Sequence, residues 1–359
     1  VKEASIGNRF WFWVVAAIAL LPATAALAAD PPAVSLSNPW ITFEGKEGPG
    51  KGKSIVFVSG DEEYRSEEGL PMLAKILAKH YGFKCTVLFE IDPKTGDISP
   101  NQHDNIPGLE ALDSADLMVI LTRFRALPDE QMKHVDDFLN AGKGVVGLRT
   151  ATHAFAGLKG TYARYNNGGN ADGWQGGFGK HILGEQWVNH WGSHKKESTR
   201  GIIPDDVKDN PILRGVSDIW VSTDVYEVKK LPDETTVLVQ GQVLKGMDPK
   251  DPPVEGKKND PMMPIAWSRN YKASDTGKEG RAFCTTMGAS SDFTNEGLRR
   301  LVVNACFWAA GMDVPAKADV DIVGPYQPTM YGFRKDADFP KDFKPQDFIA
   351  GAEDLVPGK

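Results

Sequence analysis

Short apolar runs closed by polar residues recur along the first half of the chain: Ser54–Ser59 (SIVFVS), Lys84–Phe89, Leu117–Leu121 and Gly144–Leu148. Runs this brief and β-branched read as buried strands. Between them the period changes. Glu67–Tyr81 places Leu70, Leu73, Ile76 and Leu77 at helical spacing and stops at Gly82, while Pro128–Ala141 opens on a first-turn proline and closes at Gly142. This alternation predicts an α/β fold with a parallel, doubly wound sheet. Further strands are predicted at Ile219–Val228, Thr236–Gln240, Pro264–Trp267 and Arg281–Thr286. An amphipathic helix over Asn295–Ala310 buries Leu298, Leu301, Val302, Ala305 and Trp308, with Thr294 as its cap and Gly311 as its end.

Three stretches break the pattern. Asn8-Arg9, an apolar run from Phe10 to Leu21 and a small-residue stretch ending Ala26-Leu27-Ala28-Ala29 have the layout of a secretory signal. Residues 1–29 are therefore read as a signal peptide, and the mature protein as secreted or periplasmic. An uncleaved segment would instead anchor it in the membrane; after cleavage no membrane partner is expected. Residues 30–52 read as an extended lead-in, 53–312 as the main domain, and 313–359, rich in Pro, Asp and Lys, as a tail packed along it. Within the domain, Gly157–Gly179 carries many Gly, Asn and Tyr residues and little periodicity, the mark of a long loop or lid.

Composition narrows the function classes. The chain is 41% hydrophobic and 25% charged, with a formal charge of −7 and no basic block, which argues against a nucleic-acid partner. Cys85, Cys284 and Cys306 are odd in number, widely spaced and set in apolar runs. They read as core residues, neither a disulfide framework nor a nucleophile.

The chemistry-bearing residues gather after the fourth run, in GVVGLRTATHAF at 144–155. Ligands of open α/β sheets collect beyond the carboxyl ends of strands, so Arg149 and His153 are candidate site residues; the alternative is two ordinary loop side chains. His153, His181, His190 and His194 are four of the seven histidines, a concentration that favours acid/base or sugar hydrogen-bonding roles. His190 and His194 have the spacing of two zinc ligands on a helix, but Trp191-Gly192-Ser193 between them is poor helix material. No cofactor is expected; zinc held by His181, His190 and His194 is the alternative. Trp174, Phe178, Trp187, Trp191 and Tyr162 lie among these polar groups, as aromatic faces for a sugar ring or as plain packing. Asp224 and Tyr226, in an alternating segment, would orient a histidine or bind hydroxyls, or else line a solvated edge. Asp61, in the acidic loop Asp61-Glu62-Glu63, is a binding-loop candidate unless that charge run is solvated surface.

The joint order of several segments resembles the ThuA-like (trehalose-utilisation) family: VGLRTATHAF at 146–155, GGFGKHILGEQW at 176–187, DNPILRGV at 209–216, TDVYEV at 223–228, MPIAWSRNY at 263–271, and RAFCTTMGASSDFTNEGLRRLVVNACFWAAGM at 281–312. The resemblance implies a flavodoxin-like fold of the class I glutamine amidotransferase type and a role in carbohydrate catabolism on 3-keto disaccharides or related sugars. Two positions depart from it. Arg149 stands where the amidotransferases carry a nucleophilic cysteine and many family members a histidine, so glutaminase chemistry is excluded. Gly288-Ala289 replaces a family Gly-His.

The resulting expectation is a sugar site at the carboxyl end of the sheet. His181 or His153 would be the general acid/base and Arg149 the group that polarises a carbonyl, with Asp61, Trp174, Phe178, Asp224 and Tyr226 binding the sugar. A non-catalytic carbohydrate-binding protein and a metal-dependent hydrolase remain the alternatives.

Overall fold

The computed structural model describes residues 38–358. The signal-peptide reading (1–29) and the first part of the lead-in lie outside them. Among the described residues ten strands form one sheet: β1 (Trp40–Glu44), β2 (Ser54–Gly60), β3 (Lys84–Leu88), β4 (Leu117–Thr122), β5 (Gly144–Leu148), β6 (Thr199–Ile202), β7 (Trp220–Val221), β8 (Thr236–Val243), β9 (Met263–Lys272) and β10 (Glu279–Thr285). Their spatial order is β1-β3-β2-β4-β5-β10-β9-β8-β6-β7. The five in the middle, β3-β2-β4-β5-β10, pair in parallel. Numbered among themselves along the chain they run 2-1-3-4-5, the flavodoxin-like order. Antiparallel strands extend both edges.

Helices cover both faces, as parallel strands buried on two sides require. α1 (Ser66–Tyr81) and α3 (Glu296–Ala309) bury Leu70, Leu73, Leu77, Leu298, Leu301 and Val302 in one core with Phe57, Val119 and Phe283. α2 (Asp129–Asn140) sets Met132, Val135 and Phe138 on the opposite face with Val56, Met118 and Val145. Among the described residues no helix is long and apolar enough to cross a membrane.

Several local expectations shift. The lead-in contributes an edge strand, β1, whose alternating burial pairs it with β3. The run Ile219–Val228 yields only the two residues of β7, then an isolated bridge from Tyr226 to His190. The cap of α3 is Asn295, whose side chain accepts from the Leu298 N–H; Thr294 instead bonds the Ser291 carbonyl. Residues 157–179 are not a free lid. Arg164 and the Tyr165 hydroxyl both bond Asp136 of α2, and Phe178 packs edge-on against Phe155. Among the described residues from 313 onward there is no strand or α-helix, only short 3-10 turns, and this stretch lies against α1 through contacts such as Lys75 to the Ala350 carbonyl and Tyr81 to the Asp319 carbonyl.

β5 packs closely against α3, and a β-carbon on Gly144 would collide with the Ala309 carbonyl oxygen. Gly144→Ala should therefore destabilise the chain by about 1–3 kcal/mol, the cost of overpacking a dense core, as read from the urea midpoint.

Candidate functional site

The carboxyl ends of β2, β4 and β5 each lead into a tight, strained turn. Arg65, Phe124 and Arg149 all take left-handed backbone conformations, with φ of 61°, 50° and 42°. Non-glycine residues seldom do this, and such strain gathers at functional sites. The turn after β2 is held by Asp61, which is fully buried. It accepts from the Glu63 and Tyr64 N–H groups, each at 2.6 Å, and from the Thr150 hydroxyl. Burial pushes its carboxyl above the usual range, with Glu62 adding to the effect. This carboxylate, a sugar-binding candidate in the sequence, is turned inward and fixes the loop.

Arg149 is likewise turned inward, with no solvent exposure. One terminal nitrogen donates to the backbone carbonyls of Asp224 (2.7 Å) and Thr286 (2.5 Å). The other donates to Asp224 Oδ1 (2.9 Å) and the Tyr64 hydroxyl (3.1 Å). Its guanidinium carbon lies 4.6 Å from the centre of the Tyr64 ring and 3.7 Å from that of Tyr226. Both terminal nitrogens of Arg149, the carbonyl-polarising candidate in the sequence, are engaged within the protein. It holds Asp224.

Asp224 is the hub. It is 1% exposed, and beyond the Arg149 bond its Oδ2 lies 2.7 Å from His190 Nδ1 and its Oδ1 3.0 Å from His194 Nδ1. Burial alone would raise its carboxyl, but Arg149 and then the two imidazoles hold it well below the usual range. On its far edge His194 Nε2 is 3.3 Å from Glu63 Oε1. Flanked by these two carboxylates, its imidazole is pushed up to about 9, against the opposing effect of burial. The side chains of His190 and His194 are 35% and 26% exposed, so both reach the surface. Their rings are 4.8 Å apart.

Around this hub stand Tyr226, buried with its hydroxyl on that of Tyr64, and Trp187, whose ring lies 5.9 Å from His190 and 5.4 Å from His153. His153 is 3% exposed, set between Phe124 and Trp187, and its Nδ1 meets the Thr152 hydroxyl at 3.1 Å. Desolvation, then the nearby Arg123, Arg149 and His190, keeps it neutral.

The structure thus brings together Arg149, His153, His190, His194, Asp224 and Tyr226. His181 and Trp174 form a separate pair, stacked at 4.5 Å, and Phe178 is buried in the core. Burial and then the Arg269 and Lys180 charges lower the His181 imidazole, partly offset by a bond with the Gln175 backbone. Its donor atoms do not join those that converge on Asp224, where the metal-type grouping is His190, His194 and Asp224. Glu63, Tyr64 and Tyr331 complete the site and were not singled out as site residues from sequence. Glu63 sat inside a charge run with no distinguishing signal. Tyr331, from the tail, stacks on Tyr64 at 5.4 Å through a long-range contact that no local pattern marks.

Two measurements check these roles. Arg149→Met leaves Asp224 buried beside fewer donors and should cost about 3–5 kcal/mol of stability, read by chemical denaturation. For His153, the unfolded imidazole takes up a proton near pH 6.5 while the folded one does not. The unfolded state then binds more protons, and stability falls as pH drops below about 6.5, by up to about 1.4 kcal/mol per unit. His153→Phe should flatten that acid-side slope in denaturation midpoints measured from pH 7.5 down to 5.

The trehalose-utilisation family model, ThuA, matches residues 54–309. Among solved structures, the chain is similar to a ThuA-like protein from Parabacteroides merdae at 15% identity, covering 79% of this chain and 98% of that one, with a TM-score of 0.48. It is also similar to one from Bacteroides uniformis at 15% identity, covering 74% and 93%, with a TM-score of 0.44. No curated protein matches it. With the family model spanning the parallel sheet and every polar side chain that meets Asp224, the chain belongs to the ThuA family, whose role is in trehalose utilisation.

Proposed function

We propose that the protein converts an oxidised sugar of the 3-keto disaccharide class at the surface where His190 and His194 emerge over Asp224. The observation that carries this reading is the 2.7 Å contact between His190 Nδ1 and buried Asp224 Oδ2, with the rest of the ring reaching solvent. A carboxylate on Nδ1 fixes the tautomer and leaves Nε2 outward, where a general base takes a proton from a hydroxyl or from a carbon beside a carbonyl. His190 takes that role in place of His181, which lies apart beside Trp174. Arg149 acts through Asp224, as a positioning residue.

Support for a sugar comes from the family's role in trehalose utilisation and from the aromatic surfaces at the rim. Trp187 is half-buried beside both His153 and His190, and Phe333, 62% exposed, is held over the Arg123 guanidinium at 4.8 Å. Such faces suit the C–H faces of a pyranose, with the imidazoles reaching its hydroxyls. A secreted or periplasmic location, as the N-terminal segment suggests, would place the protein where disaccharides first arrive.

The test incubates the purified chain with 3-keto-trehalose, with trehalose as control, and follows products by mass spectrometry. His190→Asn should lower turnover by about 10²–10⁴-fold while keeping its thermal melt. Full turnover in that variant would overturn the assignment of His190. Calorimetric binding by the unaltered chain without any product would make it a carbohydrate-binding protein instead.

A further inference from the structure

The convergence on Asp224 admits an occupant other than protons. Ligand atoms from His190, His194 and Asp224, one each, lie within 4.8 Å of one another; His190 Nδ1 is 2.7 Å from Asp224 Oδ2 and His194 Nδ1 is 3.0 Å from Asp224 Oδ1. Bonds near 2.1 Å to a tetrahedral ion space its ligand atoms about 3.4 Å apart, inside that range. The two imidazoles stand four residues apart in the chain and each meets the carboxylate through Nδ1.

The surroundings are those of a ligand set already oriented. Glu63 meets His194 at Nε2. A proton on that nitrogen, donated to Glu63, leaves the Nδ1 lone pair directed at the Asp224 side, the arrangement in which outer carboxylates fix metal-binding histidines. Arg149 holds Asp224 Oδ1, so Oδ2 is the oxygen less engaged. Both histidines are partly exposed, which leaves an open position for water or a sugar oxygen, as in catalytic three-ligand sites. Two imidazoles and one carboxylate select a borderline transition metal over magnesium or calcium, which take all-oxygen ligands.

We propose that His190, His194 and Asp224 bind one divalent transition-metal ion of the zinc class, with Glu63 as the outer partner that orients His194. The proposal rests on the reading above in taking this cluster as the reactive centre, and it deepens that reading. The ion takes the place of the two Nδ1 protons, and a water bound at the open position becomes the group that exchanges protons with the sugar. The ligand set also differs from the one weighed from sequence: Asp224 stands where His181 was considered, because His181 is turned to Trp174.

The experiment uses the full chain purified without chelators. Metal content is measured by inductively coupled plasma mass spectrometry, and Zn²⁺ is titrated calorimetrically into chelator-treated protein, with Co²⁺ and its visible absorption as a second probe. One equivalent of metal is expected, together with a Co²⁺ spectrum of low-symmetry, tetrahedral type. Glu63→Gln should weaken binding by about 10–100-fold. His190→Ala and His194→Ala should weaken it further still, and circular dichroism confirms that each variant is folded. Zn²⁺ binding that is weak, or equally strong in folded His190→Ala and His194→Ala proteins, would overturn the proposal. Turnover by the chelator-treated chain separates the two readings. Undiminished turnover without metal overturns the metal's part and leaves the His190–Asp224 pair standing. Stoichiometric metal with no sugar bound or converted overturns the sugar reading and leaves the metal site standing.

Discussion

Arg149 and Asp224 form an ion pair from which water is wholly excluded, their side chains each 0% exposed. Removing two charges from water costs several kcal/mol apiece, and a pair this deep persists only where further hydrogen bonds share the cost. Here they do. Arg149 also takes two backbone carbonyls, one from residue 224 and one from the end of β10, and is flanked by the Tyr64 and Tyr226 rings. The pair therefore ties together three chain segments far apart in sequence: the elbow after β5, the turn after β10 and the stretch 223–226. Because Arg149 keeps Asp224 ionised, that carboxylate can act as acceptor for two imidazoles at once.

The same economy runs along the sheet's upper edge. Left-handed residues at Arg65, Phe124 and Arg149 each carry a strain of about 1–3 kcal/mol, and each is offset by buried bonds. Asp61 caps the turn after β2 and reaches across to Thr150. Glu62 draws in Arg123 and Arg125 from the segment after β4. The turns are thus cross-linked to one another by charge as well as carried by their strands. A rigid parallel sheet beneath them supplies the fixed spacing that such cross-links need.

How much of this was legible in the sequence follows from the range of each signal. The parallel strands and the helices α1, α2 and α3 are written in local periodicity, and the structure places them within a residue or two of where the pattern does. β1 was not legible, because a half-buried edge strand beside Pro- and Gly-rich residues carries too little apolar pattern. The run Ile219–Val228 is over-read for the opposite reason: Val225 and Tyr226 are buried although the strand pairing of β7 ends at Val221 and only the His190 bridge follows. At the site, the sequence pointed to residues but not to directions. Arg149, Asp61 and Phe178 are all turned inward, a direction that no sequence pattern marks. His190 and His194 have a zinc-like spacing with poor helix material between them. The structure keeps the convergence without the helix, since a bridge from His190 to Tyr226 orients the loop instead.

Arg149, at the elbow after β5, turns back into the molecule, where its charge meets the buried carboxylate of Asp224. On the far side of that carboxylate His190 and His194 reach the surface. The C-terminal tail packs against the same place. Tyr331 stacks on Tyr64 and its ring lies 5.4 Å from that of His194, while the Gly332 N–H donates to the Glu63 carbonyl at 2.7 Å. The tail therefore supports Glu63, the carboxylate that meets His194 at Nε2.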